Sequence, residues 1–155
     1  CSLKTACNGV DVVIHTAGMN AVDCETDPVE AFRVNGLSTA NLLYCAISSG
    51  VKKLIYISTG HVYNNPLQGV IAECDNLNNI HPYASSHRAG EDVVRYAHQK
   101  QSIEGVVIRC RQAKTGSWFA HAKDDQYWLD RLELRLDDGE IAILNLDQYS
   151  VIQIL

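Results

Sequence analysis

Paired cysteines, basic clusters, long apolar runs and internal repeats are all missing from these 155 residues. Each absence removes a class of function. The six cysteines (Cys1, Cys7, Cys24, Cys45, Cys74 and Cys110) lie far apart with no Cys-x-x-Cys among them. That spacing suits reduced thiols in a cytoplasmic interior better than a disulfide scaffold or a zinc site. The histidines are equally dispersed, which speaks against a metal centre. Thirteen basic residues against eighteen acidic ones, with no basic cluster, give no footprint for a phosphate backbone, so nucleic acid is not an expected partner. No apolar run is long enough to span a bilayer. Nor does a secretory leader precede the first element. The first residue is Cys1 rather than Met, so the N-terminus reads as cut.

What remains is ordinary globular composition, 46% apolar and 20% charged with a net charge of −5, at a length suited to one domain. Val10 to His15 is a short β-branched run closed by Thr16-Ala17-Gly18. Near-continuous apolar strands of this kind belong to parallel sheets covered on both faces, and the small residues after it let backbone approach a flat or phosphorylated group. Asp27-Pro28 opens a long helix, with Asp27 as cap and Pro28 at the first position. Val29, Phe32, Gly36, Thr39 or Ala40, Leu43 and Ile47 keep helical spacing up to Gly50, a suitable stop. Asn35 sits mid-helix, where its amide competes for backbone partners, facing either water or a polar contact.

Lys53 to Ser58 is the next strand, and Thr59-Gly60-His61 follows its carboxyl end, where open parallel sheets bind ligands. Residues 64–80 are polar and turn-rich, starting at Asn64-Asn65-Pro66. Gly105 to Arg109 is a third buried strand. Between them, His81 to Tyr96 reads as the start of a helix, with Pro82 near the first helical position. Tyr83 and His87, four residues apart, share one side with Ser86, Gly90, Val93 and Ala97. Arg88, Asp92, Arg95 and Gln99 mark the wet side, and Glu91 pairs with Arg95 at i, i+4. By itself a Tyr/His pair at this spacing is commoner as a half-buried aromatic beside a surface histidine than as a catalytic couple. Strand, helix, strand, helix, strand predicts an α/β fold with a parallel sheet and right-handed crossovers. Beyond Gly116, residues 126–138 read as a helix carrying Trp128, Leu132 and Leu136, residues 140–146 alternate like a strand, and Val151 to Leu155 form an apolar tail.

Four segments in this order resemble the extended short-chain dehydrogenase/reductases, in particular the NAD-dependent epimerase/dehydratases of nucleotide sugars. Asp11 to Gly18 is similar to that family's fourth strand and its small-residue end. Phe32 to Leu43 is similar to its asparagine-bearing helix. Gly50 to Thr59, with Val62-Tyr63 three residues on, resembles the strand that bears the catalytic hydroxyl. Tyr83 to His87 occupies the place of the Tyr-x-x-x-Lys signature. The resemblance implies an incomplete Rossmann-like parallel sheet flanked by helices, over residues 1–116. Residues 117–155 then form a segment in which the family's C-terminal substrate domain is not recognisable.

Carried over residue by residue, the resemblance gives Tyr83, Thr59 and His87 catalytic roles. Tyr83 exchanges a proton with a sugar hydroxyl as hydride passes to or from a nicotinamide, and Thr59 bonds the same oxygen. Ala17, Gly18, Asn35, Ser58, Tyr83 and His87 become the cofactor-contacting residues, the cofactor being NAD or NADP. The implied partners are a nucleotide-sugar-like small molecule and, through the two long helices, a second copy of the chain. Three departures stand out. His87 replaces the lysine whose permanent charge lowers the tyrosine pKa from about 10, which predicts weaker activation or a pH profile that falls as His87 loses its proton. Val62-Tyr63-Asn64 replaces Val-Tyr-Gly, a mild change because asparagine tolerates left-handed backbone. No Gly-x-x-Gly-x-x-Gly turn, the family's pyrophosphate cradle, occurs in the sequence. The competing reading is a non-catalytic cofactor sensor or scaffold on the same fold.

Overall fold

The computed structural model describes residues 2–63, 71–110, 131–135 and 141–145. A short helix α1 (Leu3–Ala6) leads into strand β1 (Val12–His15). Helices α2 (Ala21–Thr26) and α3 (Pro28–Ala31) follow, and α3 runs through a π-helical stretch, Phe32–Leu37, into α4 (Ser38–Ser48). Strand β2 (Lys53–Thr59) ends in a 3₁₀ turn, Gly60–Val62. Helix α5 (Pro82–Gln99) then leads to β3 (Glu104–Cys110). The sheet is parallel in the order β1-β2-β3, with Val13 opposite Leu54 and Ile55 opposite Val106. This is the α/β arrangement the alternation of elements implied.

Caps set the helix boundaries. The Asp27 carboxylate accepts the Glu30 N–H at 2.9 Å and Pro28 takes the first position. At the far end Gly50 adopts φ +78°, the left-handed conformation that closes a helix. The π turn is what the periodicity did not foresee. Widening one turn brings Asn35 and Gly36 inward together, and both are buried.

Alternation along the strands sends Val13 and His15, and Leu54, Tyr56 and Ser58, to the face covered by α4 and α5. There Leu42, Leu43, Ala46, Val94 and Ala97 complete the core. Helix α5 approaches closely because position 90 has no side chain. A Cβ on Gly90 would lie 2.6 Å from the Tyr56 hydroxyl and 2.8 Å from the Asn35 carbonyl oxygen. Alanine gains about 1 kcal/mol of helix propensity there. It cannot displace a backbone carbonyl, so Gly90→Ala is expected to lose about 1–2 kcal/mol net, read as a lower urea midpoint.

Two strands, β4 (Arg131–Arg135) and β5 (Ile141–Asn145), pair antiparallel with Arg131 opposite Asn145. The strand expected over 140–146 is met at 141–145, whereas the helix expected over 126–138 is corrected at 131–135, the rest of both ranges lying outside the described residues. Apolar positions 132, 134 and 136 alternate with period two as well as they fit a helix, and the partner strand decides between the periods. Trp128, the Asn64-Asn65-Pro66 turn and the tail 151–155 lie outside the described residues.

Candidate functional site

Helix α5 begins at the carboxyl end of β2, so its first turns stand beside the 3₁₀ turn that follows Thr59. His81 caps it through Nδ1, which accepts the Tyr83 N–H at 3.2 Å, with Pro82 next. The half-buried Tyr83 ring meets His87 edge-on, centroids 4.7 Å apart at 72°. On another side it meets His61 at 6.0 Å and 71°. Thr59 is buried at the last residue of β2, and its Oγ1 accepts the His61 N–H at 3.1 Å. Thr59, His61, Tyr83 and His87 therefore form one connected group.

His87 faces inward beside Tyr83, as the helical spacing implied. It is 5% exposed, and its Nδ1 lies 2.9 Å from the Tyr56 hydroxyl. Burial pushes its pKa down to about 4, with the Glu91 charge opposing and His15 adding to the effect. The imidazole is therefore already neutral well below pH 6, which leaves weaker activation of Tyr83 as the alternative that its charge state favours. His15 is its counterpart on β1, pushed to about 4 by burial. Its Nε2 lies 2.9 Å from Thr39 Oγ1, and Thr39 donates to the Asn35 carbonyl at 2.6 Å.

Both imidazoles stay neutral when folded, while the unfolded chain takes up protons near pH 6.5. Below 6.5 the unfolded state therefore binds more protons, and stability falls as pH drops from 6.5 toward 4. The slope is up to about 1.4 kcal/mol per pH unit for each histidine. Urea midpoints should decline clearly from pH 7 to pH 5. A flat series across that interval would contradict the buried neutral pair.

Asn35 ties the end of β1 to α5. Fully buried, it accepts the Met19 N–H at Oδ1 (2.7 Å) and donates from Nδ2 to Ser86 Oγ (2.9 Å). Both ends of the amide are committed, which makes Asn35 part of the network behind the cleft. The loop it holds carries Ala17 and an exposed Gly18. A Cβ on Gly18 would lie 3.3 Å from Asn35 Oδ1 and His87 Cε1, and 3.5 Å from His87 Nε2. Main chain thus lies directly over the imidazole edge.

Sequence reasoning missed Glu91, Arg109, Tyr56, His15 and Thr39. The Glu91–Arg95 pair forms at 3.5 Å as the i, i+4 spacing implies, but Glu91 itself is 0% exposed and also receives Ser58 Oγ at 2.5 Å and Arg109 Nη2 at 2.7 Å. Arg109 also reaches Tyr63 Oη at 2.6 Å and stacks on its ring. Hydrogen bonding to Glu91 leads the causes that raise the Arg109 pKa above its ordinary value. Helical spacing held the clue, since 83, 87, 91 and 94 lie on one side. The Ser58 hydroxyl, expected at the cofactor, is committed to Glu91. Among the described residues no three His, Cys, Asp or Glu side chains are grouped to hold a metal ion, and no helix is long and apolar enough to cross a membrane.

Residues 2–132 match the family described as the NAD dependent epimerase/dehydratase family. The chain belongs to that family. The dTDP-D-glucose 4,6-dehydratase of Mus musculus is 34% identical over 103 residues, 64% of this chain and 28% of the relative. The UDP-glucose 4-epimerase of Halalkalibacterium halodurans is 28% identical over 66% of this chain and 31% of its own length. Among solved structures, a double mutant of the dTDP-glucose 4,6-dehydratase DesIV from Streptomyces venezuelae, with NAD and DAU bound, superposes with a TM-score of 0.66 at 28% identity. That match covers 70% of this chain and 34% of the dehydratase. The chain thus spans about a third of the length of these relatives. The shared fold is the Rossmann-like parallel sheet of the epimerases and dehydratases.

Proposed function

We propose that the protein containing this chain is an NAD(P)-dependent epimerase/dehydratase acting on a nucleotide sugar or similar polyol by tyrosine-assisted hydride transfer. In this reading residues 1–116 are part of the cofactor domain, and 117–155 belong to a segment outside it. One observation carries the proposal: a half-buried phenol, Tyr83, packed edge-on against His87 beside the Thr59–His61 turn, where parallel sheets take their ligands. The relatives' names supply the substrate class, since they act on dTDP-glucose and UDP-glucose.

The chain's residues fit the nicotinamide end of a dinucleotide. At Gly18 the main chain comes so close to His87 and Asn35 that a Cβ would lie 3.3 Å from both, so a side chain there would crowd the imidazole that meets the cofactor. The nicotinamide, when bound, supplies the hydride acceptor or donor. Tyr83 gives or takes the sugar hydroxyl proton, Thr59 steadies the same oxygen, and His87 meets the cofactor ribose. Asn35 keeps the β1 loop and α5 in register through Met19 and Ser86. Buried free thiols at Cys7 and Cys24 suit a reducing, cytoplasmic setting. Pairing through the long helices is favoured by exposed Val29, Leu37 and Tyr44 on one and Tyr96 on the other. Sedimentation should then give a dimer.

Titration of the intact protein with NAD(H), followed by hydride exchange against dTDP-glucose and UDP-glucose, tests the proposal. Exchange with either sugar nucleotide is the expected result. Tight NAD(H) binding with no exchange would instead favour the cofactor-sensing reading, which the uncharged His87 in place of lysine supports.

A further inference from the structure

Tyr56 has no part in the reaction just described, yet it is wholly buried and its hydroxyl meets His87 Nδ1 at 2.9 Å. A phenol and a neutral imidazole at that distance share one proton, and its direction fixes which ring nitrogen of His87 carries a hydrogen. The neighbours constrain the choice. The Asn35 carbonyl is an acceptor only, so Thr39 spends its proton there at 2.6 Å and accepts from His15 Nε2 at 2.9 Å. Burial holds the Tyr56 phenol above its usual pKa, so it keeps its proton. Two acceptors compete for that proton, Thr39 Oγ1 and His87 Nδ1, and an imidazole nitrogen is a better base than a hydroxyl oxygen, which makes Nδ1 the preferred one. His87 Nε2 lies on the Gly18 side, 3.5 Å from where a Cβ on that residue would stand.

We infer that Tyr56 is a positioning residue which donates to His87 Nδ1 and so fixes the Nε2–H tautomer, presenting one neutral N–H donor toward the cleft where the family has a lysine ammonium. That the donor meets a ribose hydroxyl rests on the proposed function, whereas the tautomer does not. The titratable groups facing His87 are Tyr56 from β2, His15 from β1, and Tyr83 and Glu91 from α5. Glu91 is bound to Ser58 and Arg109, so it does not accept a proton from the ring.

Two-bond ¹H–¹⁵N correlation spectra of histidine-labelled intact protein at pH 7, with His87 assigned by comparison with His87→Gln, read the tautomer directly. The expected wild-type pattern is Nε2–H with unprotonated Nδ1. A wild-type Nδ1–H pattern, with Tyr56 then donating elsewhere, or an imidazolium would overturn the inference without any variant being needed. In Tyr56→Phe the Nε2–H form should give way to a mixture, and NADH affinity should fall about tenfold, the scale of one hydrogen bond. An unchanged tautomer in Tyr56→Phe would overturn the role of Tyr56, and an altered tautomer with unchanged NADH affinity would overturn its bearing on the cofactor. Wild-type protein that shows the Nε2–H pattern but fails to bind NADH would count against the proposed function and leave the tautomer assignment standing.

Discussion

Glu91→Ala is expected to destabilise the fold by about 3–5 kcal/mol, the cost of breaking one half of a buried ion pair. Glu91 is 0% exposed, and two donors close on its carboxylate, Ser58 Oγ at 2.5 Å and Arg109 through Nε and Nη2 at 3.0 and 2.7 Å. Removing it strands the Arg109 guanidinium, whose side chain is 15% exposed, and leaves the Ser58 hydroxyl without its acceptor. Glu91→Gln keeps the shape and one acceptor oxygen while losing the charge, so its cost should be smaller, about 1.5–3 kcal/mol. The pair Glu91→Leu with Arg109→Met should recover much of the loss, because replacing both ions together avoids stranding either. Urea melts of the three proteins give the ranking directly. A loss below 1 kcal/mol for Glu91→Ala would mean that Arg109 finds water instead, and that the network does not tie β2, α5 and β3 together.

Tyr83→Phe is expected to leave the fold intact and to lower hydride exchange by about 10²–10⁴-fold, the usual contribution of a positioned proton-transfer group. The substitution removes one oxygen and keeps the ring that contacts His87 and His61 edge-on. Stability should therefore change by less than about 1 kcal/mol, within the range of ordinary substitutions away from the core. In the intact protein the loss should fall on kcat with KM little altered, as for an interaction made mainly in the transition state. A fall of less than tenfold would remove Tyr83 from the chemistry. His87 sharpens the expectation, because a neutral imidazole with a pKa of about 4 cannot lower a neighbouring phenol by charge as an ammonium does. His87→Lys should accordingly move the pH–rate profile toward lower pH. An unchanged profile from pH 6 to 9 would show that position 87 does not set the ionisation of Tyr83.

Much of the frame was legible because it rests on local rules. Asp27-Pro28 and Gly50 announced the ends of the long helix through capping chemistry, and Pro82 announced the start of α5. The β-branched runs at Val12, Leu54 and Val106 announced strands that pair parallel. The small residues at 17 and 18 and the Tyr83/His87 pair stood in the order of a known family, and order together with spacing carried the family assignment. Residues 131–135 were illegible for the converse reason, since their alternation fits two periods and a distant partner strand settles which one holds.

Sequence by itself determined the order of elements, the family and the side of α5 that looks inward, since each follows from periodicity, caps and short motifs along the chain. Only the tertiary structure decided the charge state of His87, the burial of Glu91 and the alliance of Tyr56 with the site. Those depend on which side chains from separate strands and helices close around a group and exclude water. His87 stays neutral because Tyr56, His15 and Tyr83 enclose it. Glu91 is stably buried because Arg109, 18 residues later, comes back across the sheet to meet it.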